Sequence, residues 1–360
     1  MTPIHHGGNV DAAAEQLHLS PSDILDFSAN INPLGFPKSL LPIFKNASSL
    51  VTHYPDPRYQ KLKRSLAHHY DLSVSDIFVA NGGTQLLDEA IRAVNAPEAL
   101  ILAPTFGEYE QMFSRVGTQV HHFRLTANNN FQADVDQIMT TLKDQHQITA
   151  ICLTNPNNPT GSLVSPADLR RLVNFCNSTG KTLILDEAFI DLTVNSQPTF
   201  ISELTAKDRV IVARSATKLF AIPGLRLGYG VTKNRQLQQQ MANQEEDWSV
   251  NAIADQFGQQ MYTAKSYLKQ TQDWLAREQP HLWQALAKIP QLTVYPSQAN
   301  FILFRCERRD LRELLMKKRI LIRQCDDYVG LGPEFYRVAV RSSKENAILV
   351  KAIQQVLEGG

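Results

Sequence analysis

Five short motifs place chemically useful side chains directly after apolar runs. Asn81-Gly82-Gly83-Thr84-Gln85 follows IFVA (77–80) and opens a helical pattern, LLDEAIRAV. A glycine turn feeding a helix N-terminus presents unpaired N–H groups and a positive dipole end, which suit an anion. Phe106 and Tyr109 follow ALILA (99–103), TNPNNPTG follows ITAICL (148–153), and Asp186-Glu187 follows TLIL (182–185). Arg214-Ser215-Ala216-Thr217-Lys218 follows RVIVA (209–213). Taken singly, each has an ordinary structural role: a glycine turn is a turn, an Asp after a strand caps a helix, and a Lys is solvated. Their joint occurrence at successive strand ends points to a ligand site with an amine, a carboxylate, aromatic rings and an anion cradle.

The elements that must position these residues can be read from periodicity. Between about 75 and 232, apolar runs alternate with helical patterns, ending with LGYGV (227–231). The segment 166–178 shows a helix with Ser165 as N-cap, Pro166 in the first turn, Leu169, Leu172, Val173 and Cys176 on one face, and Gly180 as the stop. Such alternation predicts an α/β fold with a mostly parallel sheet covered by helices on both sides. Ligands of such sheets bind beyond the carboxyl ends of the strands, where the five motifs fall. Residues 234–290 read as a long helical connection. The runs 292–306, 319–325 and 336–343 then alternate with helices at about 308–318 and 344–357, which predicts a smaller α+β domain. The organisation expected is an arm (1–35) joining that smaller domain, a large domain (36–250), and a connecting helix with the small domain (251–360).

Bulk properties exclude several classes. The chain has 360 residues, with Lys+Arg 36 against Asp+Glu 35, so no polyanion-binding or nucleic-acid surface is expected. Its four cysteines, Cys152, Cys176, Cys306 and Cys325, form no CxxC pair and fit no zinc spacing, so no metal is expected. The N-terminus lacks an apolar signal core, and no run approaches the ~18 apolar residues of a membrane span. A cytoplasmic location is the expectation.

The order of motifs resembles the aspartate-aminotransferase fold type of pyridoxal-5′-phosphate (PLP) enzymes over nearly the whole chain. The resemblance rests on Ser215-Ala216-Thr217-Lys218 followed by Pro223-Gly224-Leu225-Arg226-Leu227-Gly228, and on Asn157-Asn158-Pro159-Thr160-Gly161. It implies that Lys218 carries PLP as a Schiff base and moves protons once freed. It further implies that Arg226, Ser215 and the backbone donors of Gly83, Thr84 and Gln85 bind the cofactor phosphate. Asp186 would face the pyridine nitrogen, Asn158 the 3′ oxygen, and Phe106 the ring face. Tyr54, in Tyr54-Pro55-Asp56, matches a tyrosine that reaches the neighbouring subunit's cofactor, so a homodimer with shared sites is implied. One departure stands out: Phe189 occupies the place where many relatives carry a tyrosine that donates to the 3′ oxygen.

On the substrate side, the resemblance assigns Arg337 to an α-carboxylate and Arg323 to a substrate phosphate, with Asn32 in an arm folded over the site. Within the fold type, the threonine-phosphate decarboxylases of cobalamin biosynthesis are the family most similar. The similarity lies in His6-Gly7-Gly8-Asn9, DFSANINPLG (26–35), LDEAFID (185–191), AIPGLRLGY (221–229), DWSVNA (247–252), RILIR (319–323) and YRVAVRS (336–342). His6 and Gly7 thereby join the expected substrate-binding residues. The implied reaction is loss of CO₂ from L-threonine O-3-phosphate, giving (R)-1-amino-2-propanol O-2-phosphate. Residue types alone serve decarboxylation and transamination equally, so a histidinol-phosphate-type aminotransferase is the alternative. A ligand-sensing transcription regulator would carry an added helix-turn-helix domain, and the sequence shows none.

Overall fold

A computed structural model of the chain describes residues 7–359. Among the described residues, thirteen strands form three sheets. The first, β1 (Leu25–Asp26), lies in the arm. Seven follow: β2 (Ile77–Ala80), β3 (Glu98–Ala103), β4 (Gln119–Arg124), β5 (Ile148–Thr154), β6 (Thr182–Asp186), β7 (Val210–Ser215) and β8 (Gly228–Val231). They form one sheet in the order β2-β8-β7-β6-β5-β3-β4. Strand β8 runs antiparallel to both its neighbours, and the other pairings are parallel. The central strands β6 and β7 are buried almost throughout, which is why they read as continuous apolar runs.

The edge strand β4, QVHHFR, is invisible to that signal. It pairs with β3 alone and is half-exposed along its length. Its two histidines face carboxylates, His121 with Glu98 at 2.6 Å and His122 with Glu110 at 3.3 Å. A strand that contacts one neighbour and water needs no apolar run.

The smaller sheet is antiparallel, in the order β12-β13-β10-β9, built from β9 (Leu292–Val294), β10 (Phe301–Cys306), β12 (Arg323–Gln324) and β13 (Phe335–Ala339). The segment 319–325, expected as one strand, is divided. Its first part, β11 (Ile320–Leu321), pairs in parallel with β1, and its second, β12, turns to pair with β13. The arm is thus joined to this layer by a backbone ladder.

Local signals hold where the sequence placed them. Ser165 caps the helix Pro166–Thr179 by accepting from Asp168 N, and Gly180 ends it in the left-handed region. The long helix Lys265–Ala287 lies against the small sheet, with Trp274 donating to Arg341 O and Trp283 to Tyr295 O, both at 3.0 Å. All four cysteines are buried free thiols. Among the described residues, no helix is long and apolar enough to cross a membrane.

Candidate active site

A cavity of about 540 Å³ opens where the carboxyl ends of β5, β6 and β7 meet the small sheet and the arm. Its floor is an anion cradle. The helix Gly83–Val94 starts beside the end of β7, and its first backbone bond runs from Leu86 N to Gly82 O. The N–H groups of residues 83–85 therefore have no carbonyl one turn back and are available to a ligand. Gly82 has φ +89°, and a Cβ there would lie 2.5 Å from Arg226 Nη2. A Cβ on Gly83 would lie 3.1 Å from Ser215 Cβ. Glycine in both places lets the arginine and the serine close over the helix end. Thr84 also lines the cavity. The side chain of Gln85 turns away, accepting from Asn81 N and donating to Glu89, so only its backbone can serve the cradle.

Above the cradle stands Lys218, on the short helix Ala216–Leu219 that continues β7. Burial lowers its pKa to about 8, and Arg337 and Arg226 push in the same direction. Asp186, at the end of β6, is buried. Its Oδ2 accepts from the Tyr109 hydroxyl at 2.6 Å and its Oδ1 from Ala188 N at 2.8 Å. Burial raises its pKa, while those two donors oppose the rise. The carboxylate is oriented and dry, a place where a cationic N–H gains most. Phe106 and Phe189 line the same cavity, and Phe189 packs edge-on against Phe301 at 5.0 Å.

The opposite wall carries two arginines. Register pairs Arg323 of β12 with Arg337 of β13, which brings both to the cavity. Arg337 donates to Asn158 Oδ1, to Ser28 O at 2.7 Å and to the Tyr328 hydroxyl at 3.4 Å. Because Arg337 engages the amide oxygen of Asn158, the amide nitrogen of that residue is left to donate elsewhere. Arg323 is held by Asp327, whose two oxygens lie 2.6 and 2.7 Å from Nη2, and it donates to Gln324 O at 2.6 Å. Gly7 lines the cavity, whereas His6 lies outside the described residues.

One expected residue sits elsewhere. Asn32 is buried behind the site, not over it. Its amide donates to Leu219 O at 2.9 Å and to Thr271 at 2.8 Å, so its polar capacity is spent on bracing the segment that carries Lys218. Asn30, two residues earlier, lines the cavity instead, and its buried Oδ1 has no hydrogen-bond partner. Tyr54, expected to serve a neighbouring subunit's site, is 82% exposed, packs tilted against Trp248 with ring centroids 5.0 Å apart, and does not line this chain's own cavity.

Sequence reasoning missed Ser28, Asn30, Asp327 and Tyr328, all of which line the cavity. Ser28 and Asn30 lie inside the DFSANIN motif already singled out, so the signal existed at the wrong residue. Asp327 and Tyr328 sit in CDDYVG, which follows a short strand and carries no pattern.

The described residues fit PLP. The glycine-walled cradle would hold its phosphate, Asp186 its ring nitrogen, Asn158 its phenolic oxygen and Lys218 its aldehyde carbon. The comparisons agree. Residues 22–353 match the family model of aminotransferase class I and II. The chain is 39% identical over 356 residues to the threonine-phosphate decarboxylase of Salmonella typhimurium, covering 98% of this chain and 97% of that one. It is 30% identical over 361 residues to the adenosylcobalamin biosynthesis bifunctional protein CobDQ of Leptospira interrogans, spanning 98% of this chain and 41% of that protein. Among solved structures, the histidinol-phosphate aminotransferase of Clostridium acetobutylicum superposes with a TM-score of 0.87 at 29% identity, covering 94% of this chain and 100% of that one. Fold, site and sequence converge, and the chain belongs to the class I and II aminotransferase family.

Proposed function

We propose that this protein is a PLP-dependent decarboxylase that converts L-threonine O-3-phosphate to (R)-1-amino-2-propanol O-2-phosphate for cobalamin biosynthesis. The observation that carries the reading is the pairing of Arg323 and Arg337 across β12 and β13, facing Lys218 over one cavity. A substrate with a carboxylate at one end and a phosphate at the other meets one guanidinium with each. The 39% identity to a threonine-phosphate decarboxylase over nearly the full length of both chains supports the choice of chemistry.

Bound PLP supplies an electron sink for the charge left at Cα when a bond there breaks. The chain's own residues do the rest. Gly83, Thr84, Gln85, Ser215 and Arg226 hold the cofactor phosphate. Asp186, oriented by Tyr109, would hold the ring nitrogen and favour its cationic form. Arg337 would fix the α-carboxylate and so hold the substrate in one orientation in the cavity. Lys218, whose pKa is lowered to about 8, can hold or release a proton near neutral pH.

A homodimer belongs to the same reading. Leu41, Phe44, Val51 and Tyr54 are large apolar side chains exposed within one stretch of chain, and Trp248 packs against Tyr54. A second copy covering this face would bring Tyr54 toward the partner's site, and gel filtration with light scattering reads the mass directly. For the reaction, the loaded protein is given L-threonine O-3-phosphate alone, and histidinol phosphate with 2-oxoglutarate in parallel. The amino-propanol phosphate should form in the first mixture. Glutamate formed only in the second would establish an aminotransferase instead.

A further inference from the structure

Arg323 does not wait for a substrate as a bare cation. Asp327 clasps it with both carboxylate oxygens, at 2.6 and 2.7 Å, and the two side chains are 7% and 3% exposed. Both line the cavity. An anion that approaches Arg323 therefore also approaches a buried carboxylate. A fully ionised phosphate monoester would place three negative charges around one guanidinium. A monoester that keeps one proton turns that repulsion into a charge-assisted O–H···O bond to Asp327.

We propose that Asp327 is a specificity residue that accepts a hydrogen bond from the remaining P–O–H of the substrate's phosphate, so that the site selects a hydrogen-phosphate monoester over anions that carry no proton. The inference rests on the assignment of Arg323 to the substrate phosphate. Charged and titratable groups surround Asp327 among the described residues, and Glu108 lines the same cavity. On its own segment Asp327 has Arg323, Cys325, Asp326 and Tyr328, and Arg337 of β13 lines the same cavity. Across an adjoining pocket of about 210 Å³ it faces Glu110 and His122, which pair with each other. Burial keeps the Tyr328 phenol and the Cys325 thiol neutral. The second phosphate proton leaves near pH 6. A pH profile on the phosphate ester alone does not isolate the ester's own proton, so the test needs an internal control.

O-sulfo-L-threonine is that control, because it has the same carboxylate, amine and shape but no proton on its ester group at neutral pH. The cofactor-loaded protein is assayed for binding of O-phospho- and O-sulfo-L-threonine by thermal shift and by competition between pH 6 and 8. The native protein should prefer the phosphate ester by at least about tenfold at pH 6, with the preference falling toward pH 8. Asp327→Asn, which is isosteric, carries no charge and can donate its amide N–H to a deprotonated phosphate oxygen, should lose that fall or reverse it. It should also bind the sulfate ester about tenfold better, because the repelling charge is gone. A native preference that stays flat or rises with pH overturns the proposal, and this result needs no variant to fold. An Asp327→Asn protein with the native pH trend overturns it as well. Failure of the decarboxylase reading is separately visible, as absence of CO₂ release with the anion preference intact.

Discussion

The two walls of the cavity are built differently. The cofactor wall is made of strand ends of one buried parallel sheet, with Asp186 directly closing β6 and Ser215 closing β7. The substrate wall is assembled from the arm, the β12 segment and β13, which are distant in sequence. Its polar groups hold one another: Arg337 binds Asn158 and Ser28, and Arg323 binds Asp327. The first wall is fixed by core packing before any ligand arrives. The second is a network of ion pairs and hydrogen bonds that a charged substrate must enter and partly replace. A site can thus hold its cofactor rigidly and still leave substrate choice to a few exchangeable contacts.

Substitutions on the two walls should separate accordingly. The largest effect is expected at Lys218. Lys218→Ala should lower activity by about a thousandfold or more, since it removes both the cofactor's anchor and a proton carrier. Borohydride should then trap no adduct on the protein, and an adduct at another lysine would contradict the assignment.

Next come the arginines. Arg337→Ala should weaken every α-amino acid, while Arg323→Ala should weaken phosphorylated substrates and spare their unphosphorylated analogues. A charged hydrogen bond contributes about 1.5–3 kcal/mol, or roughly tenfold to a hundredfold in KM. Equal losses on threonine and threonine phosphate in Arg323→Ala would remove that arginine from the phosphate.

A smaller effect is expected on the cofactor wall. Gly82→Ala sets a methyl group 2.5 Å from Arg226 Nη2 at φ +89°, so the guanidinium must shift. Equilibrium titration should show PLP bound roughly tenfold more weakly, with substrate KM little changed in the saturated protein.

The smallest is a pH effect on the apoprotein. Burial favours neutral Lys218, with a pKa of about 8 against the ordinary 10.5. Capture of PLP should therefore speed up through pH 8 and level off above it. The sign for stability is the same: between about 8 and 10.5 the unfolded chain binds the extra proton, so this lysine's contribution to stability rises with pH across that window. A capture midpoint near 10.5 would place Lys218 in contact with water.

How much of this was legible in the sequence follows the same division. Lys218, Asp186 and Arg226 announced themselves because each follows or flanks an apolar run whose end the fold puts at the cavity. Strand β4 escaped notice because an edge strand half in water needs no such run. The stretch 319–325 read as a single strand because nothing local marks the turn of partner between Leu321 and Arg323. Asn32 was taken for Asn30 because both lie in one motif, and only the backbone path decides which faces the ligand. Asp327 could not be foreseen, since its meaning is its distance from Arg323.

The central claim is that breakage at Cα releases CO₂ and returns the cofactor unchanged. Cofactor-loaded protein is mixed with excess L-threonine O-3-phosphate and no keto acid, and CO₂ is counted against active sites. A decarboxylase needs no amino acceptor, so many equivalents of CO₂ per site should accumulate until substrate runs out. An aminotransferase would release none and stop after a single half-reaction, with its cofactor converted to the amine form until 2-oxoglutarate is added. That second outcome would contradict the decarboxylase account while leaving the fold and Lys218 in place.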